Sequence, residues 1–88
     1  MRVKVETVGE GLHPSEVVVA VDTTEGREQL AVDRRSLHDN SLEVGWPVGT
    51  HNGHWLVELP RETFRGAWRV WVARDQVIGD PSPERAHA

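Results

Sequence analysis

The chain reads as a small all-β domain, a barrel of five to seven short, mainly antiparallel strands. Three observations predict this. Short runs rich in Val and Leu recur between Gly and Pro positions. Apolar and polar side chains alternate along several of those runs. No stretch sustains a 3.6-residue apolar period. The pattern is plainest between Ser41 and Ile78, where Leu42-Glu43-Val44, Trp46-Pro47-Val48-Gly49, Trp55-Leu56-Val57-Glu58-Leu59-Pro60 and Trp68-Arg69-Val70-Trp71-Val72 carry all four tryptophans.

Met1 to Val8 reads as a first strand, with Val3, Val5 and Thr7 on one side and Arg2, Lys4 and Glu6 on the other. Gly9, Gly11 and Pro14 then make a loop, with Leu12 expected as a plug beneath it. The run Val17-Val18-Val19-Ala20-Val21 resists a helix because β-branched side chains crowd the preceding turn. Thr23-Thr24-Glu25-Gly26 closes a turn, and Arg27 to Asp33 returns with Leu30 and Val32 inward, completing a hairpin.

Arg34 to Ser41 is polar, and Asp39-Asn40 is a turn pair between Leu37 and Leu42. Ser41 to Val44 reads as a short strand. Gly45, Pro47 and Gly49 bend the chain, with the Trp46 ring expected to shut one end of the barrel. Asn52-Gly53 is the strongest short hairpin signal in the chain. Beyond it, Trp55, Val57 and Leu59 share one face and His54, Leu56 and Glu58 the other. Pro60 to Gly66 forms a loop or a single helical turn. Trp68, Val70 and Val72 make an inward row, which leaves Arg69 and Trp71 facing out. Ala73 to Ile78 is a turn and a last short strand.

With 88 residues the chain makes one domain, expected over 1–78, followed by a disordered tail over 79–88 that has two prolines and no large apolar residue. One Phe, one Met and no Tyr leave the core to Val and Leu, with the tryptophans expected to supply bulk. There is no cysteine, so neither disulfides nor thiolate metal sites hold the fold. No apolar run has signal-peptide length, and none approaches the roughly 18 residues of a membrane span. A cytoplasmic protein without membrane contact is expected.

Net charge is -4, which argues against non-specific nucleic-acid binding. The segment 34–74 is nevertheless mildly basic, with six Arg against Asp39, Glu43, Glu58 and Glu62.

The ending Trp71-Val72-Ala73-Arg74-Asp75-Gln76-Val77 resembles the last elements of SH3-like barrels, in which a Trp/Tyr-Val/Ile strand runs into a tight 3₁₀ turn and a short final strand. At the level of pattern the resemblance covers residues 42–78. It implies a compact barrel of bacterial SH3-like type, usually a partner-binding module. Binding of proline-rich peptides does not carry over, because the chain has no Tyr and no acidic early loop followed by tandem tryptophans.

An outward Trp71 beside Arg69, with Leu56 and His54 as cross-strand neighbours, has the composition of a protein–protein hot spot. Arg61, Phe64 and Arg65 are expected at the edge of that face. The competing expectation packs Trp71 under 60–66 against Phe64. The leading reading is a non-enzymatic interaction module that binds a protein partner or itself. The alternative is a single-stranded RNA or DNA binder that uses the same indole for base stacking and the arginines for phosphates. His51 and His54 flank a turn, and a zinc site joined by His13 or His38 is a third possibility. The plainer reading makes them solvated loop histidines, with no cofactor. No serine has a nucleophile-elbow context and no Gly-rich loop opens a helix, so no catalytic residues are assigned.

Overall fold

Three antiparallel sheets of three strands each make up the domain, in a computed structural model that describes residues 1–45 and 47–78. Trp46 and the tail expected at 79–88 lie outside the described residues. In chain order the strands are β1 (Arg2–Lys4), β2 (Glu6–Glu10), β3 (Glu16–Thr23), β4 (Gly26–Asp33), β5 (Ser41–Glu43), β6 (Gly49–His51), β7 (His54–Glu58), β8 (Arg69–Ala73) and β9 (Val77–Ile78). Their neighbours run β5-β1-β9, β2-β3-β4 and β6-β7-β8. Among the described residues there is no α-helix, only 3₁₀ turns at Arg34–Ser36 and Arg74–Gln76. None of these helices is long and apolar enough to cross a membrane.

The all-β expectation holds, and several finer ones are corrected. Among the described residues, nine short strands replace five to seven, and no ladder closes on itself into a barrel. The first strand is two. At Val5 the chain leaves the sheet it shares with β5 and β9 and joins β3. Val5 N–H donates to the Asn40 carbonyl at this crossing, so one alternating run serves two sheets. Thr7 is consequently exposed rather than inward.

The β3–β4 hairpin keeps strict register from Glu16 opposite Asp33 to Thr23 opposite Gly26. Gly26 has a φ of 123°, open to glycine and strained for any side chain. Leu12 is no plug: it is 96% exposed. The loop closes tightly above it, with Gly11 N–H bonded to the Glu16 carbonyl and Glu16 N–H to the His13 carbonyl. A Cβ on Gly11 would collide with Glu16 Cβ at 2.6 Å, so only glycine permits that closure. Asp39 and Asn40 both take positive φ, as their turn requires.

The core is aliphatic. Val3, Val19, Val21, Leu30, Val32, Leu42, Val57 and Val72 are almost wholly buried, and Val5, Val17, Val44, Leu59 and Val70 complete the cluster. The expected tryptophan bulk is absent from it among the described residues. Trp55 packs at its margin. Trp68, one residue before β8 begins, keeps the inward parity of Val70 and Val72 yet is 53% exposed. There its carbonyl accepts from Leu59 N–H at 2.8 Å. Residues 60–67 form a loop, not a helical turn.

Candidate functional site

Asn52 and Gly53, with φ of 50° and 78°, make the two-residue turn between β6 and β7. That turn fixes the register: His51 stands opposite His54, Thr50 opposite Trp55, and Gly49 opposite Leu56. On the other side of β7, His54, Leu56 and Glu58 stand opposite Ala73, Trp71 and Arg69. Val57, Val70 and Val72 point into the core, so alternation puts Gly49, His51, His54, Leu56, Trp71 and Arg69 on the outer face.

Trp71 is half-buried there. A methyl group placed on Gly49 would lie 3.8 Å from Trp71 Cη2 and 3.7 Å from Leu56 Cβ, so the indole lies across the glycine. The His51 ring meets the indole edge-on, with centroids 6.5 Å apart and planes at 67°. The Asn52 side-chain amide lies 3.1 Å from His51 Nε2, within hydrogen-bond reach. Thr24 N–H donates to the Trp71 carbonyl at 2.9 Å and brings the β3–β4 turn against the end of this sheet. Thr24, His51, His54 and Trp71 together line a shallow pocket of about 230 Å³.

Of the seven residues expected in the contact face, Trp71, Leu56, His54 and Arg69 share one sheet surface. The other three lie on the 60–67 segment, which docks on β4 instead. Phe64 N–H donates to the Gln29 carbonyl at 2.8 Å, and the Phe64 side chain is 64% exposed. The segment is pinned at both ends by ion pairs, Arg61 to Glu16 at 2.9 Å and Arg65 to Glu28 at 3.5 Å. The two carboxylates are largely covered, and Glu28 Oε1 is buried without a hydrogen-bond partner. Thr63 anchors the turn between them, its hydroxyl accepting from Ala67 N–H at 3.0 Å. Arg69 is also paired, with Glu58 at 3.2 Å. Arg74 leaves the face and lies over the Trp55 ring, 5.9 Å from its centroid.

Nearby, the Asp33 carboxyl is held below the ordinary carboxylate range. The Arg35 side chain is the main cause, followed by the Arg35 backbone N–H, with Arg61 adding a smaller attraction. Among the described residues, no group of three or more His, Asp or Glu side chains is arranged to hold a metal ion. His38 lies beside Glu43 at 3.5 Å, not beside His51 or His54.

Compared with protein-family models, curated proteins and solved structures, the chain matches none. The pocket also contains residues that were not expected in the contact face. His51 was legible, because a two-residue turn forces it opposite His54 and therefore onto the same side. Thr24 was not, because it arrives from another sheet through one backbone hydrogen bond.

Proposed function

We propose that the chain is a non-enzymatic protein-interaction module of the cytoplasm, SH3-like in its closing elements, whose contact face is the outer surface of the β6-β7-β8 sheet. The strand, 3₁₀ turn and short strand over Arg69–Ile78 follow the order that the resemblance implies. One observation carries the reading. Leu56 and Trp71 stand opposite each other on the outer face, where the sheet's own core is already filled from the other side. A partly exposed indole is among the side chains most enriched in interaction hot spots, and Leu56 gives it an apolar neighbour. The arginines weigh against the nucleic-acid alternative, since Arg61, Arg65 and Arg69 each face a carboxylate rather than forming a phosphate-facing row.

Trp71→Ala tests this. Self-association in light scattering, or co-purification of a bound protein, is expected to fall away while the domain loses only about 1–2 kcal/mol in urea denaturation, the value of a half-buried ring. A loss of about 3–5 kcal/mol, as for a core aromatic, makes Trp71 structural and removes the face. Oligonucleotide binding that drops steeply between about 50 and about 200 mM salt would favour the nucleic-acid alternative.

A further inference from the structure

β4 is the outer strand of the β2-β3-β4 sheet, and among the described residues one backbone hydrogen bond reaches its far side, from Phe64 N–H to the Gln29 carbonyl at 2.8 Å. In an antiparallel strand the N–H and C=O of one residue point the same way, and those of the next residue point oppositely. The Gln29 carbonyl therefore sets the direction for Arg27, Ala31 and Asp33 as well, while Arg34 N–H turns back to the Ser15 carbonyl. Residues 60–67 straddle this edge. Glu16 stands opposite Asp33 and shares its outward face, whereas Glu28 stands opposite Val21 on the core face. Arg61 reaches the first carboxylate and Arg65 the second, so the segment holds the sheet from both of its faces.

The hold is light. Of residues 60–67 Thr63 alone is buried, and the Arg61 and Arg65 side chains are 50% and 73% exposed, where water screens an ion pair. Glu28 Oε1 has no partner while the segment is down and regains water when it lifts. The edge underneath is complementary to itself. With Leu30 of two antiparallel copies face to face, Gln29 of each meets Ala31 of the other and Arg27 meets Asp33. All four present their backbone groups outward, so each pair exchanges hydrogen bonds, and the pairing of Arg27 with Asp33 also joins opposite charges. Sliding either strand by two residues loses that charge match. The opposite edge of the sheet behaves differently. Every residue of β2 is exposed, but its register shifts between Thr7 and Gly9, and with Val8 against its own copy the strand sets Glu6 against Glu10. Bulges and like charges defend one edge against self-pairing, and a covering loop defends the other.

We infer that residues 60–67 guard a self-pairing edge: when they lift, β4 pairs with β4 of a second copy of this chain, Leu30 opposite Leu30, and the two sheets join edge to edge. This surface is separate from the contact face proposed above and makes no use of Trp71.

The test compares the full chain with the double variant Arg61→Ala, Arg65→Ala by sedimentation velocity over a wide range of protein concentration, with amide exchange followed by NMR. Losing both ion pairs is expected to raise the lifted fraction of each chain about tenfold, so a dimer that needs both chains lifted gains about a hundredfold in affinity. The Gln29 and Ala31 amides are expected to become protected in step with dimer formation. Arg27→Asp added to the double variant is expected to return it to monomer, because carboxylates then face each other across the edge. Should the double variant fail to fold, Phe64→Pro removes the N–H that holds the Gln29 carbonyl and supplies the same comparison. A folded, lifted variant that stays monomeric at every concentration overturns the inference. So does a dimer in which the Gln29 and Ala31 amides exchange as freely as in the monomer. If that dimer disappears with Trp71→Ala it belongs to the contact face, which then stands without the edge.

Discussion

The two ends of the β7–β8 ladder carry different side chains and hold them in different ways. At the loop end, Arg61 and Arg65 pair residues 60–67 with Glu16 of β3 and Glu28 of β4, and Arg69 pairs with Glu58 across the ladder. At the turn end, His51 and His54 face each other beside Trp71, and among the described residues no carboxylate lines the pocket they share. Charge at the loop end is paired within the chain. At the turn end, Trp71 is only half-buried. A basic stretch of sequence is therefore a poor guide to a binding surface until its counter-ions are known.

The largest effect that sharpens this contrast is expected from Leu59, which is 3% exposed at the loop end. Leu59→Ala is expected to cost about 2–5 kcal/mol in urea denaturation, as other buried leucine truncations do. The pocket resonances of His51 and Trp71 should keep their positions in the folded fraction. If they move as much as those of Thr63 and Ala67, the two ends are one cooperative site and the contrast fails.

A smaller effect concerns Glu28, whose Oε1 is buried without a partner while Oε2 meets an Arg65 that is mostly in solvent. Removing a carboxylate that is poorly repaid for its lost hydration is often neutral or stabilising. Glu28→Leu is accordingly expected to leave stability unchanged or raise it by about 1 kcal/mol, whereas Arg65→Ala lowers it by about the same amount by stranding the carboxylate. If both variants destabilise equally, the ion pair is a net contributor and the loop end depends on it more than its geometry implies.

The smallest effect is pH-dependent. Because the Asp33 carboxyl titrates below its unfolded value, its contribution is fully present above the ordinary carboxylate range and is lost as pH falls through the lower, folded value. Asp33→Asn should flatten that acid limb of the stability curve in thermal melts at pH 2–5, without altering behaviour between pH 5 and 8. A change in the neutral range instead would mean that Asp33 is not the group behind the acid limb.

Much of the local structure was legible in the residues. The Val17–Val21 run, the Thr24-Glu25 and Asn52-Gly53 turns and the alternation along β7 and β8 each specify their own geometry, and all stand in the structure. The outward setting of Trp71, Leu56 and His54 follows from parity alone. The failures share a cause. Parity says which side a residue is on but not whether anything covers that side, so Trp68 carries the inward parity of Val70 and is still largely exposed. Likewise the sequence reading put Arg61 and Arg65 at the edge of the contact face, but their partners Glu16 and Glu28 come from strands far back in the chain.

What the sequence determined by itself is the strand character, the turns and the side of the sheet each residue occupies, because these depend on backbone preference and on neighbours two to four positions away. What only the tertiary structure decided is where the first strand breaks between sheets, which arginines are neutralised, and that Thr24 closes a pocket against Trp71. Those outcomes depend on contacts between segments separated by tens of residues. No local pattern encodes them, because each depends on which sheet packs against which.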